Sequence, residues 1–160
     1  MMGATTTFVH FELGEDRLAL ELADVREVAR VTRYTPVPRA PALVRGVANI
    51  RGRVVTLLDA EVLYGGPEGE RAPGPQAGQA VVLAPPRDHL ALFVRSRVQI
   101  GRGQEAEVEG GPRGRVPADG SGAPAGRVVR FEQGIVQMIP AAGLAAHCEA
   151  KLLERYRRRA

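Results

Sequence analysis

The sequence predicts a mainly β fold built from two similar units, with short connecting helices and a C-terminal α-helix. Three observations carry this. Short apolar runs punctuated by Gly, Pro and Asp recur along nearly the whole chain, the pattern of barrels or a sandwich. Arg53–Leu63 (RVVTLLDAEVL) reappears as Gly134–Leu144 (GIVQMIPAAGL), and Leu18–Leu22 (LALEL) as Leu90–Val94 (LALFV), at separations of 81 and 72 residues. From Ala141 the apolar spacing changes to that of a helix.

Strands are expected at about 5–13, 17–22, 28–34, 47–50, 53–58, 79–84, 89–94, 97–100, 127–132 and 135–139. Gly14-Glu15-Asp16 turns the chain after the first strand, and Pro85-Pro86-Arg87-Asp88 does the same before Leu90. Pro36, Pro38 and Pro41 break any strand there, because proline cannot donate to a ladder. Val44–Asp59 (VRGVANIRGRVVTLLD) reads as a hairpin, with Gly46 and Gly52 where strands meet turns. Val54, Val55, Leu57 and Leu58 form a run suited to a strand covered on both faces. Asn49 is placed to bond its own turn, and Arg51 and Arg53 project outward. A guanidinium on a rigid turn is a good partner for carboxylates, although a solvated turn arginine is the commoner case. Asp59 ends its strand where a short helix begins and is read as an N-cap.

The segments 65–78 and 101–126 hold eight Gly or Pro in fourteen positions and eleven in twenty-six, so both are expected as flexible loops within a single domain spanning 1–160. From about 141 to 160 a helix with a basic tail is expected, Leu144, Cys148, Leu152 and Tyr156 forming its apolar stripe. The tail's cations suit the helix C-terminus.

Composition narrows function. Aromatics are only 4%, without Trp, so Val, Leu, Ile and Ala must build the core. A single cysteine precludes an internal disulfide and a multi-cysteine zinc site. No segment approaches the roughly 20 apolar residues of a membrane helix, which points to a soluble cytoplasmic protein without direct membrane insertion. Of the formal charge of +4, a net +3 falls in residues 149–160, so the basicity is mostly a tail and not a nucleic-acid-binding face. Motifs for phosphate loops, zincins, serine hydrolases and CxxC chemistry are missing, and His10, His89 and His147 are scattered. The reading is therefore of binding rather than catalysis, with no catalytic residue, no metal and no cofactor. A small basic barrel that binds nucleic acid is the alternative from another class.

Val25-Arg26-Glu27-Val28, Pro36-Val37-Pro38 with Pro41, Val44-Arg45-Gly46-Val47-Ala48-Asn49-Ile50-Arg51-Gly52 and Leu57-Leu58-Asp59 resemble, in order and spacing, the CheW family of chemotaxis coupling proteins. The resemblance implies two intertwined five-stranded SH3-like β barrels. It implies a non-enzymatic adaptor that joins a CheA-type histidine kinase, through its regulatory domain, to the cytoplasmic tips of methyl-accepting chemoreceptors, recruited to membrane-bound receptor arrays. Glu27, Gly46, Asn49, Arg51 and Gly52 match partner-binding positions of the family, and Val94 and Arg95 fall at the strand ends of its kinase-binding surface. Two departures stand in the second half: Val94-Arg95 where the family has Val-Asp, and Pro140 where the last strand ends in Asp. They admit an adaptor of an alternative chemosensory pathway that binds a receptor or another partner but not the kinase.

Overall fold

In the computed structural model the described residues are 5–64, 77–106, 128–131 and 134–157. Among the described residues ten strands and two α-helices follow one another: β1 (Thr5–Leu13), β2 (Asp16–Glu21), β3 (Val25–Val31), β4 (Val44–Ile50), β5 (Arg53–Asp59), α1 (Ala60–Tyr64), β6 (Gly78–Leu83), β7 (Leu90–Val94), β8 (Val98–Ala106), β9 (Val128–Phe131), β10 (Gly134–Met138) and α2 (Ala141–Arg157). A 3-10 turn at Leu22–Asp24 joins β2 to β3.

The strands sort into two five-membered sheets that ignore chain order. Barrel A runs β1-β2-β10-β9-β8 and closes on itself, and the second sheet runs β3-β6-β7-β5-β4. The second sheet has open edges at β3 and β4, but Thr35, just beyond β3, bridges Val47 of β4. Thr35 N–H donates to Val47 O at 2.8 Å and Val47 N–H to Thr35 O at 2.9 Å, which closes barrel B. The two barrels match the two intertwined SH3-like barrels expected.

The intertwining follows from the repeat. β2 and β7 are repeat mates, as are β5 and β10, yet β5 pairs in parallel with β7 and β10 with β2. Thr56 lies opposite Leu90, and Gln137 opposite Leu18. These two pairs are the same pair at the repeat separations of 81 and 72 residues, so each half lends a hairpin to the other half's barrel.

Packing explains the strand composition. The largest cluster lies between the barrels and draws Val9, Phe11, Leu18, Leu20, Leu58, Val81, Leu83, Leu90, Leu92 and Val94 together with Leu63, Leu144 and Cys148 of the helices. Alternate residues of the same strands fill barrel B: Ala80, Val82, Ala91 and Phe93, with Val55 and Leu57. A strand buried on both faces must be apolar at every position, hence LALFV. Val54 departs from that expectation at 70% exposure. It sits beside the hairpin tip, opposite the exposed Asn49, where no second layer covers it.

Several boundaries differ from those expected. β3 begins at Val25 and β4 at Val44, each three residues early, and β8 runs on to Ala106. Residues 101–106 are therefore strand, where a loop was expected from 101. The rest of that segment, residues 65–76 and the side chain of Tyr156 lie outside the described residues. Leu144 and Cys148 are buried and Leu152 packs beside them, which docks α2 on the shared core. Among the described residues no helix is long and apolar enough to cross a membrane.

Gly46 stands where barrel B closes. A Cβ there would lie 2.5 Å from Thr35 O and 2.9 Å from Tyr34 Cδ2, so only hydrogen permits the bridge. Gly46→Ala is expected to cost about 1–3 kcal/mol and to speed amide exchange at Thr35 and Val47, as read by urea unfolding and hydrogen exchange. Unchanged stability and protection would mean that the closure does not depend on this glycine.

Candidate functional site

The β4–β5 hairpin turns in two residues, Arg51 and Gly52, both at positive φ (52° and 82°). Such a turn matches the twist of the flanking strands. Gly52 adopts it freely, whereas an arginine in the left-handed region costs roughly 1–2 kcal/mol. Asn49 Oδ1 accepts from Gly52 N–H at 2.8 Å and holds the turn. The Arg51 side chain is 82% exposed, with Nε 3.1 Å from Glu27 Oε1. That approach is an ion pair without hydrogen-bond alignment, so Glu27 Oε1 is buried yet lacks an aligned donor.

Beside this pair lies a second charged cluster that sequence reasoning missed. Asp88 Oδ2 accepts from Arg26 Nη1 at 2.8 Å and pairs with Arg53 Nη2 at 2.5 Å. Asp88 precedes β7 and Arg53 opens β5, so the parallel β5–β7 pairing brings them together. A shift in register at Arg26 in the β3–β6 ladder marks a bulge in β3. Desolvation opposes ionisation of Asp88, but the Arg53 hydrogen bond, a backbone hydrogen bond and the charges of Arg53 and Arg26 hold its carboxyl below the ordinary range.

The root of the hairpin is a buried ion pair. Arg45 and Asp59 are 1% and 2% exposed, and Arg45 Nη1 donates to Asp59 Oδ2 at 2.8 Å. Arg45 Nε donates to Tyr34 Oη at 2.9 Å, and the guanidinium lies 4.9 Å from the Phe93 ring centroid. Burial disfavours its charge, but the hydrogen bonds to Tyr34 and Asp59 raise its pKa above the ordinary value. Asp59 Oδ1 accepts from the N–H groups of Glu61 (3.0 Å) and Val62 (3.3 Å), capping α1. Strand alternation would turn Arg45 outward with Asn49. Instead it is the extra residue of a bulge, Val44 facing Leu58 and Gly46 facing Leu57, and so it turns inward.

The structure thus gathers Glu27, Asn49, Arg51 and Gly52 at one end of barrel B, with Arg26, Arg53 and Asp88. Gly46 and Asp59 are interior. Val94 is 1% exposed and belongs to the shared core, so it presents no side chain to a partner. Arg95 follows β7 at the opposite end, about 20 Å along the strands. Its Nε donates to Glu61 Oε1 of α1 at 2.9 Å, and its Nη2 pairs with Glu61 Oε2. Among the described residues no three His, Cys, Asp or Glu side chains are grouped to hold a metal ion.

A family model described as the CheW-like domain matches residues 7–147. The chemotaxis protein CheW of Rhizobium meliloti (strain 1021) is 32% identical over 76 residues, 48% of this chain and 46% of that protein. Protein FrzA of Myxococcus xanthus is 40% identical over 52 residues, 32% of each chain. The chemotaxis protein CheW of Thermotoga maritima is 28% identical over 88 residues, 55% of each. The chain thus spans about half or less of the curated relatives it matches. The crystal structure of the scaffolding protein TtCheW from Thermoanaerobacter tengcongensis superposes with a TM-score of 0.66 at 18% identity, covering 86% of this chain and 90% of that one, a likeness of fold.

Because the folded-state pKa of Asp88 is depressed, its stabilising contribution is present above the ordinary value of 3.8 and is lost as pH falls through the lowered one. Carboxyl-carbon NMR titration is expected to place its midpoint below that value, and Arg53→Gln to move the midpoint upward. A midpoint that ignores Arg53→Gln would show that the contact does not persist in solution.

Proposed function

This chain belongs to the CheW-like domain family, and on that premise we propose that it is a chemosensory adaptor, coupling the cytoplasmic tips of methyl-accepting chemoreceptors to a CheA-type histidine kinase. The observation that carries the reading is the tip of the β4–β5 hairpin. An arginine held at positive φ, where Asn or Gly would sit with less strain, is a local cost that suits a side chain with work outside the fold. Its partner Glu27 keeps an acceptor oxygen that lacks an aligned donor, and a donor from a partner would complete it.

In this proposal the Glu27/Arg51 end of barrel B meets the receptor tip. The bidentate fork of Arg51 would take a carboxylate of the receptor helices while Glu27 takes a donor. The kinase regulatory domain would meet the opposite end, where Arg95 is drawn onto Glu61. The two barrels share one core, so a load at either end is borne by one folded body, and coupling is geometric. No bond of a substrate is made or broken. The protein would work in the cytoplasm at membrane-bound receptor arrays.

A second reading rests on Arg95: an arginine satisfied by Glu61 presents a different charge from the family's aspartate, which suits an adaptor whose second partner is not the standard kinase.

Titration calorimetry against a receptor signalling tip and a kinase regulatory domain separates the readings. Arg51→Ala and Glu27→Ala are each expected to weaken receptor binding by about tenfold, near 1.4 kcal/mol, with the unfolding midpoint unchanged. Binding of the receptor alone supports the second reading, and binding of neither partner contradicts the proposal.

A further inference from the structure

The interiors of the two barrels are filled unequally. Barrel B holds Phe93 and Tyr34, with the Arg45 guanidinium against both rings. At the repeat separations, the positions of Asp59 and Phe93 are taken in barrel A by Pro140 and Glu21, so that plug has no equivalent. Among the described residues barrel A is filled by Phe8, Ala19, Val129 and Val136, with Phe131 and Met138 beside them. A cavity of about 410 Å³ opens at its end, among His10, Arg17, Gln99, Arg102, Phe131 and Val136. Small-ligand sites begin at roughly 300 Å³.

Its chemistry is one-sided. Arg17 and Gln99 supply donors, and among the described residues no carboxylate lines the cavity. Gln99 faces His10 across the ladder as Glu27 faces Val82 in barrel B, so the one acid of the equivalent position is replaced by a neutral amide. Glu12 pairs with Arg17 Nη2 at 3.1 Å from the solvent side, and its exposure weakens that hold. Phe131 forms an aromatic wall, 5.1 Å from the His10 ring and 5.9 Å from Phe8. Burial, then the Arg17 charge, lowers the His10 pKa against the pull of Glu12, keeping the imidazole neutral beside that wall. Gly101 keeps the wall in place: a Cβ there would lie 3.1 Å from His10 Nε2 and 3.2 Å from Phe131 Cε1.

Donors at the rim, an apolar aromatic wall and, among the described residues, no internal anion define a complementary ligand. We propose that the mouth of barrel A binds a small organic carboxylate with an aromatic body, the carboxylate on Arg17 and Gln99 and the ring on Phe131 and His10. This site is independent of the adaptor role and lies on the other barrel from Glu27 and Arg51.

The probe is 3-phenylpropionate, titrated into the ¹⁵N-labelled full chain, with 3-phenylpropionamide as its uncharged match. Saturable amide shifts are expected at Gln99, Gly101 and Arg102, and the amide should bind at least about tenfold more weakly. Arg17→Gln should reduce carboxylate affinity by a similar factor with the thermal midpoint retained. Because the amide comparison uses the unaltered protein, it decides the matter even if the variant folds poorly. Equal binding of acid and amide, shifts that do not saturate, or shifts that map to barrel B would overturn the proposal. So would binding confined to an acidic peptide with none of the free acid.

Discussion

The Arg45–Asp59 pair ties together parts of barrel B that are otherwise distant in sequence. One guanidinium reaches the carboxylate at the end of β5, the Tyr34 hydroxyl beyond β3, and the face of Phe93 on β7. Through its other oxygen the same carboxylate starts α1. Taking two charges out of water is expensive, and the Coulombic attraction repays it only when remaining groups are satisfied. Here the Tyr34 hydroxyl, the helix N–H groups and two aromatic faces do much of that. The consequence is specificity of position: Tyr34 is fixed next to Thr35, whose bridge to Val47 closes the barrel over Gly46. The turn carrying Arg51 is thus the far end of a hairpin whose root is pinned.

Barrel A shows what the same architecture does without the pair. Pro140 occupies the place of Asp59, and α2 begins after it with Leu144 N–H donating to Pro140 O. Stability there comes from apolar packing of α2 on the shared core, and among the described residues a smaller cluster fills the barrel interior. Exchange of hairpins between the halves makes the two barrels one unit, since β1 and β2 cannot leave barrel A without carrying β3–β5 with them. An apolar core common to both explains how one barrel can forgo its polar anchor.

Much of this was legible from residues alone where the signal is local. Turn glycines and alternating apolar runs marked the hairpins, and the repeat separations, measured on sequence, coincide with the strand registers. Pairing between distant segments carries no local signal, so the exchange of hairpins came from family resemblance. What local reading missed shares a cause, namely that context reverses what a residue's type or place in the strand suggests. Arg45 stands where strand alternation points outward, and a bulge turns it in. Gly101 and Gly103 looked like linker, yet they are strand residues whose missing side chains leave room for His10, Phe131 and Val129. Asp88 looked like a turn residue only, because its cations arrive from β3 and β5.

The central claim is that Arg45 and Asp59 act as one unit, and a double-mutant cycle in urea unfolding tests it most directly. Arg45→Met and Asp59→Asn, the latter keeping a capping oxygen for α1, should each cost about 3–5 kcal/mol, since each leaves a buried charge alone. The double variant should cost less than their sum by more than about 2 kcal/mol. Strict additivity of the two losses would contradict the account.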